Sequence, residues 1–369
     1  MRIGIVGPIS KDQIHLQTGA VSCHYGAAAY SATVLAKLLE GKDHHISCLT
    51  HLSPSSVAPV YELFRHMNIS LTTTNSSDVS GTEIELRHTT KHDRISRQTS
   101  IMTPISPVEL KMLSDYDYII LMPLNETDIT PASVKEFRST SKATIFLDIH
   151  GLITGVDKDG NRFKKNWNCP HEWLENIDIL KMNDKEAMWA SGRELNYRED
   201  YIRYAITVVE EGVSVCWITF GDQSSLVSWR QQEKLFWANV PVADIGPVVD
   251  TIGCGDSASA GFIYAYSRFH SPLIAVVMGN MLGSVKASLY EADEFPTSPQ
   301  VRGMIYHHYR DYLHNLLEEF LSEEHILINE VEEAIHHESL MYSTNGNRHH
   351  YGTDHEGGGN SQSSSTPWP

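Results

Sequence analysis

The sequence predicts an α/β fold in which a doubly wound, mostly parallel sheet is sandwiched by helices and carries a small β-strand lid. Two observations predict this fold class. Short apolar runs, typical of buried strands, alternate along the chain with stretches of helical periodicity. One long polar segment interrupts that alternation. With 41% apolar residues, the chain of 369 residues can also bury a large core.

The strands of the main sheet are predicted from apolar runs that end at turns or at helical patterns. These runs cover residues 3–6, 46–49, 118–122, 144–147, 177–180 and 215–219. Helical periodicity lies between them, at residues 27–39, 55–66, 131–139, 184–191 and 199–211. Strands and helices that alternate in this way form right-handed βαβ units, so the sheet is expected to be covered on both faces.

The lid is predicted from two polar segments, at about residues 13–25 and 71–103. The longer segment is rich in threonine and roughly alternating, which is typical of solvated antiparallel strands. We expect both segments to form a small sheet that stands off the main domain. A long surface loop with chance alternation is the alternative.

The C-terminal part divides into two segments beyond a core domain of residues 1–300. Residues 301–342 have helical apolar spacing, and eight glutamates lie between Leu317 and Leu340. We therefore expect an acidic helical extension. Residues 343–369 are rich in Gly, Ser, Asn and His, a composition that cannot bury enough apolar surface to fold, so a disordered tail is predicted.

Composition excludes several classes of function. The net charge of −17 argues against a general nucleic-acid binder, which needs clustered Lys and Arg to neutralise phosphates. No apolar run approaches the roughly 18–20 residues of a membrane span, and the apolar start is too short for a signal peptide. The five scattered cysteines form no Cys-x-x-Cys pair, which favours reduced thiols and a cytoplasmic location.

The strongest local signal is a glycine-bracketed turn that leads into a helix of small residues. It reads Asp250-Thr251-Ile252-Gly253-Cys254-Gly255-Asp256. Such a turn leaves backbone N–H groups at the positive end of the helix dipole, which suits a phosphate. Asp256 could take the proton of a hydroxyl that attacks phosphorus. The alternative is that Asp256 is only an N-cap and the glycines form only a turn.

This heptapeptide resembles the signature Asp-Thr-x-Gly-Ala-Gly-Asp of the ribokinase-like (PfkB) family of sugar and nucleoside kinases, with Cys254 in the alanine position. Four further segments resemble markers of that family in the same order. They are the first strand end at Gly7 to Asp12, the glycine motif at Gly26 to Tyr30, the Asn-x-x-Glu segment at Asn183 to Glu186, and the Thr-x-Gly strand end at Thr219 to Gly221.

The resemblance implies an ATP-dependent kinase that phosphorylates a hydroxyl group with the help of Mg²⁺. It assigns Asp256 as general base and the N–H groups of Gly253, Cys254 and Gly255 as the anion hole. Asn183 and Glu186 would act on Mg²⁺ and the triphosphate largely through water.

The same resemblance implies the remaining binding residues. The nucleotide would lie beside Thr219, Gly221, Thr251 and Asn280, and the acceptor would be held by Asp12, Gly26, Ala27 and Tyr30. Asp250 lies where many members of the family bind K⁺.

Departures from the family pattern leave the acceptor open. Tyr25 replaces a glycine and Tyr30 replaces an asparagine, so two rings would shrink the pocket or offer a stacking face. His150 is read as an ordinary strand-end residue, with substrate contact as the alternative. A sugar or polyol is favoured as acceptor; a nucleoside kinase and a non-catalytic sensor or scaffold are the alternatives. A homodimer could form through the lid edge or through residues 301–342.

Overall fold

A computed structural model describes residues 1–15, 21–73, 79–88, 94–232, 234–289, 295–310 and 341–343. The strands are β1 (Arg2–Val6), β2 (Lys11–His15), β3 (Val21–Tyr25), β4 (His45–Leu49), β5 (Ile69–Thr72), β6 (Glu83–His88), β7 (Arg94–Ser100), β8 (Tyr118–Leu121), β9 (Thr144–Asp148), β10 (Thr154–Val156), β11 (Arg162–Lys164), β12 (Ile179–Asn183), β13 (Val215–Thr219), β14 (Ser224–Gln231), β15 (Lys234–Pro241) and β16 (Met341–Ser343).

The helices pack on both faces of the main sheet. They are α1 (Ala28–Leu38), α2 (Pro54–Phe64), α3 (Pro107–Lys111), α4 (Pro131–Arg138), α5 (Pro170–Leu174), α6 (Asp184–Ser191), α7 (Arg198–Glu210), α8 (Cys254–Phe269), α9 (Pro272–Ala287) and α10 (Ser298–Tyr309). In the described part of the chain, no helix is both long and apolar enough to span a bilayer.

The main sheet has the strand order β16-β15-β14-β13-β12-β9-β8-β1-β4-β5. From β13 to β5 every pair is parallel, whereas β14, β15 and β16 are antiparallel to their neighbours. The chain winds outward in opposite directions from β1, so a topological switch point lies between β1 and β8. Crevices at such points are where open α/β sheets bind ligands.

Two hydrophobic clusters cover the two faces of this sheet. One joins the sheet to α1, α2, α8, α9 and α10, and the other joins it to α3, α4, α5, α6 and α7. Neighbouring side chains of one strand point to opposite faces of the sheet. In β8, for example, Ile119 belongs to the second cluster and Ile120 to the first. The predicted doubly wound sheet between helices is therefore confirmed.

A second sheet of four strands, in the order β3-β2-β6-β7, forms the predicted lid. Its centre differs from the prediction, because β2 and β6 pair in parallel. β2 forms an antiparallel hairpin with β3, and β6 forms another with β7. The two hairpins are joined through their first strands, β2 and β6. Ile14, Ile84 and Leu86 form a small core under the lid, against which Leu124 and Ile252 pack.

Several predicted boundaries change in the structure. The start of the longer lid segment is wrong, because Leu71 and Thr72 belong to β5 at the edge of the main sheet. The strand predicted at residues 177–180 lies two to three residues later, as β12. Of the predicted helical extension, residues 301–309 belong to α10, and Met341 and Tyr342 lie in β16. Residues 311–340 and 344–369 lie outside the described residues, so the rest of the extension and the tail stay predictions.

Candidate active site

A cleft of about 810 Å³ lies where the carboxyl ends of the parallel strands meet the lid. Asp148, Asn183 and Thr219 end β9, β12 and β13 and line it from below. Ile84 and Leu86 of β6 line it from the lid. The volume is within the range of about 300–1,000 Å³ that is typical of small-molecule sites. The carboxyl ends of the parallel strands therefore carry a partly open cleft of a size that suits a small molecule.

The glycine turn opens α8 at this cleft. Gly253 is the N-cap residue of the 16-residue helix, with φ of 79°, and no side chain caps it by a hydrogen bond. Gly253 and Gly255 both line the cleft. Uncapped N–H groups at the positive end of a helix dipole can receive an anion, as the sequence predicts.

Cys254 differs from its two neighbours in this turn. Its N–H group donates to the carbonyl oxygen of Thr251 at 3.4 Å, and Cys254 is not among the residues that line the cleft. The anion-binding capacity of the turn therefore lies with the other N–H groups at the start of α8.

Tyr30 packs against the back of this turn. A Cβ atom at Gly253 would lie 2.7 Å from the Tyr30 ring, so only glycine fits there, and the positive φ demands glycine as well. The hydroxyl group of Ser31 donates to the backbone oxygen of Asp256 at 2.8 Å. Helix α1 thus supports the start of α8, and Tyr30, 7% exposed, forms part of the cleft wall.

Asp256 lies in the first turn of α8 and lines the cleft. Burial and then the negative charge of Asp148 raise its pKa to about 7, although Lys181 acts in the opposite direction. A carboxylate whose pKa lies near the working pH is suited to act as a general base.

Lys181 is buried beneath the same turn. Its ammonium group lies 2.6 Å from Oδ2 of Asp148 and 2.9 Å from the carbonyl oxygen of Gly255. Burial alone would lower the pKa of Lys181, but the charge and hydrogen bond of Asp148, together with the charges of Asp256 and Glu186, outweigh burial and raise the pKa. Ser259 also donates to Asp148 Oδ2, at 3.3 Å. This network fixes the second glycine of the turn and places a positive charge beside Asp256.

Asn183 and Glu186 are joined by a capping box at the start of α6. Asn183 Oδ1 accepts from the Glu186 N–H at 2.8 Å, and Glu186 Oε2 accepts from the Asn183 N–H at 2.9 Å. The ring of His150 lies 2.8 Å from Glu186 Oε1. Burial alone would raise the pKa of Glu186, but His150 and then Lys164 lower it to about 2.

A short hairpin adds basic residues that sequence reasoning missed. Arg162 and Lys164 of β11 line the cleft. Arg162 donates to Leu124 O and to Nε2 of His150, each at 3.3 Å, so Nδ1 of His150 carries the proton donated to Glu186. The Asp159-Gly160 pair between two short strands was the available signal for this hairpin.

The acceptor side of the cleft is formed by the lid and the turn before α1. Asp12 of β2 is 6% exposed and lines the cleft together with Ala27 and Tyr30. A Cβ atom at Gly26 would lie 2.5 Å from Oδ2 of Asp12, so this glycine lets the carboxylate approach the backbone. Tyr25 pairs with Lys11 in the lid and does not line the cleft.

Asn280 and Asp250 are two predicted site residues that do not line the cleft. Asn280 is buried in α9, where it accepts from Ser225 Oγ at 2.6 Å and donates to Pro241 O at 3.1 Å, and it does not line the cleft. Asp250 also lies off the cleft, and its Oδ2 atom is 3.0 Å from the ammonium group of Lys286. Thr219, Gly221 and Thr251 do line the cleft.

The two expected metal ions fit the described residues differently. No group of three or more His, Cys, Asp or Glu side chains is arranged to hold a metal there. Mg²⁺ commonly binds through one or two carboxylates, waters and substrate phosphates, so Glu186 at the cleft fits indirect binding. K⁺ does not fit at Asp250, because Lys286 occupies the position of the cation.

The family model of the pfkB family carbohydrate kinases matches residues 156–298, which include the turn, α6 and α8. The predicted resemblance is confirmed. No curated protein matches the sequence.

Solved structures share the fold at low sequence identity. Ribokinase from Giardia lamblia superposes with a TM-score of 0.67 at 13% identity, covering 82% of this chain and 99% of that one. Ribokinase from Arabidopsis thaliana, complexed with ribose and ATP, gives 0.62 at 15% identity and covers 82% and 98%. A pyrophosphate-dependent kinase in the ribokinase family, complexed with a pyrophosphate analogue and myo-inositol, gives 0.63 at 17% identity and covers 77% and 94%. The fold is ribokinase-like.

Proposed function

We propose that this ribokinase-like chain is an ATP-dependent kinase that transfers the γ-phosphoryl group to a hydroxyl group of a small sugar or polyol. The observation that carries the proposal is Asp256, which lies in the cleft beside the uncapped start of α8 with a pKa raised to about 7. The match to the pfkB carbohydrate kinases supports the same activity.

In this reaction Asp256 accepts the proton of the acceptor hydroxyl as its oxygen bonds to the γ-phosphorus and ADP leaves. The N–H groups at the start of α8 stabilise the negative charge on the transferring phosphoryl group. Lys181 holds Gly255 in place and supplies positive charge beside Asp256. Asp12 orients the acceptor by accepting a hydrogen bond from a second hydroxyl group.

The donor end of the cleft is rich in groups that suit phosphates. Lys164 and Lys185 line it beside Thr219 and Gly221, and Phe220 borders it with its ring under Arg198 at 3.7 Å. Mg²⁺, held through water by Asn183 and Glu186, would neutralise phosphate charge. The similar structures include a pyrophosphate-dependent kinase, so pyrophosphate is a second donor to test.

A panel of acceptors and donors tests the proposal. The purified chain is incubated with ribose, myo-inositol, aminoimidazole riboside and common nucleosides, with ATP or pyrophosphate and Mg²⁺, and the product is detected by mass spectrometry. We expect phosphorylation of a sugar or polyol with ATP. Phosphorylation of nucleosides alone would favour a nucleoside kinase. Measurable ATP binding without any turnover would favour a sensor or scaffold and contradict the proposal.

A further inference from the structure

Lys286 is a fully buried lysine in the last turn of α9, with no exposed surface. Its ammonium group lies 3.0 Å from Asp250 Oδ2, 3.2 Å from the carbonyl oxygen of Leu289 and 5.7 Å from the centre of the Tyr30 ring. A carboxylate oxygen, a carbonyl oxygen and an aromatic face are groups that stabilise a cation. The protein therefore encloses a positive charge behind the wall of its cleft.

The surroundings of Lys286 connect it to the anion-binding turn. Asp250 accepts from the Ile252 N–H through its other oxygen, Oδ1, at 3.0 Å. The N–H groups of Val249 and Asp250 both donate to Ala287 O, at 2.7 and 3.2 Å. The chain thus enters the turn from a segment that is anchored to the end of α9. The Tyr30 ring lies under the ammonium group of Lys286 and also packs against Gly253. Tyr30 is therefore a second connection between Lys286 and the turn.

A free cation cannot share this position with Lys286. An ion close enough to bind Asp250 Oδ2 and Leu289 O would meet the fully buried ammonium group within a few ångströms, and the two positive charges would repel each other. Conversely, removing the ammonium group would leave the Asp250 carboxylate partly buried without its cation. The position is therefore filled by the chain itself.

We propose that Lys286 is a tethered cation that holds Asp250 and the Gly253 turn in place, so that this protein does not depend on K⁺. Lys286 is a positioning residue, because it acts on the anion hole through Asp250 and Tyr30. The activity part of this proposal rests on the proposed kinase function. Its stability part concerns the folded protein alone.

Two variants of the full chain test this proposal, Lys286→Ala and Lys286→Met. The alanine variant opens space next to Asp250, whereas methionine fills that space with an uncharged chain of similar length. Thermal unfolding is measured for both variants and the wild type in KCl, NaCl or choline chloride at equal ionic strength. Where an acceptor is known, kcat and KM are measured in the same salts. Lys142→Ala, at an exposed lysine, is the control for loss of a lysine.

We expect wild-type Tm and kcat to be the same in all three salts. In choline chloride, both variants should lose about 5–10 °C in Tm, and kcat should fall by about 10²-fold while the KM for the donor changes less. In Lys286→Ala, K⁺ should restore much of the lost Tm and of the lost kcat in a saturable manner. In Lys286→Met, K⁺ should restore neither Tm nor kcat.

Three results would overturn the proposal. Wild-type protein that is stabilised or activated by K⁺, but not by choline, has a cation site that Lys286 does not fill. A Lys286→Ala variant with unchanged Tm shows that the ammonium group holds nothing in place. Equal response of the alanine and methionine variants to K⁺ shows that the ion acts elsewhere. The salt dependence of Tm is read without any activity, so a failed kinase assignment would not disturb this outcome.

Discussion

Two buried lysines support the start of α8 from opposite sides. Lys181 lies under Gly255 at the cleft, and its pair with Asp148 is surrounded by the further carboxylates of Asp256 and Glu186. Lys286 lies behind Gly253, away from the cleft, and its ammonium group forms an ion pair with Asp250. Lys181 therefore lowers the pKa of Asp256. Lys286 instead fixes the backbone of the turn through Asp250. Variants at the two lysines should therefore differ in their effects on the pH profile and on the turn.

Lys181→Met should have the largest effect. Asp148 would stay buried without its partner, at a cost of about 3–5 kcal/mol, which corresponds to a loss of about 6–15 °C in Tm. Because Lys181 lowers the pKa of Asp256, its removal should also raise that pKa. The acid limb of the pH profile of kcat/KM should then move to higher pH, and both quantities are measured on the same preparation.

The double variant Lys181→Met/Asp148→Asn is the matched control for this prediction. It removes the unpaired charge, so most of the Tm should return while turnover stays low. An acid limb that keeps its wild-type position in the single variant would show that Lys181 only supports the structure. The distinction between the two lysines would then be lost.

Gly253→Ala should have the next largest effect, because both lysines serve the turn that contains this glycine. The Cβ atom of alanine would lie 2.7 Å from the Tyr30 ring. The alanine backbone would also have to adopt a φ of 79°, which is unfavourable for any residue except glycine. We expect kcat to fall at least about tenfold as the N–H groups shift. Gly192→Ala is the matched control, since φ there is 65° and no atom lies within 4 Å of its Cβ position. Equal kcat in the two variants would contradict the account of the turn.

Asn280→Ala should have the smallest effect on catalysis. Its amide group is used inside the protein, by Ser225 and by the carbonyl oxygens of Val240 and Pro241. We expect Tm to fall by about 2–8 °C and the KM for ATP to stay within about twofold. A tenfold rise in the KM for ATP at unchanged Tm would instead support the contact with the nucleotide that the family resemblance implies.

The sequence predicts the central sheet well because buried parallel strands are nearly continuous apolar runs. The runs ending at Val6 and Leu49 match β1 and β4 at their carboxyl ends. It does not predict the parallel pairing of β2 with β6, because register between distant segments leaves no local pattern. The sequence does not predict strand β14, because its serines interrupt the apolar run although they are buried in the sheet.

The individual side-chain contacts of the candidate site follow from the sequence only where the two residues are close along the chain. Asn183 and Glu186 form a capping box, a contact that residues three positions apart at a helix start commonly make. Asp250 and Lys286 are 36 positions apart, and no sequence motif predicts the contact between them. Lys181 gave a usable signal, since a lysine inside the apolar run of β12 must find a carboxylate when it is buried.

The most direct test of the central claim is the pH dependence of kcat/KM for the wild type and for Asp256→Asn. Asp256 must be ionised to accept a proton, so wild-type activity should fall as the pH drops through about 7, the pKa of this carboxyl group. Asp256→Asn should bind ATP normally, turn over about 10²–10⁴-fold more slowly and lose this acid limb. An Asp256→Asn enzyme with wild-type turnover, or with the same acid limb, would contradict Asp256 as the general base.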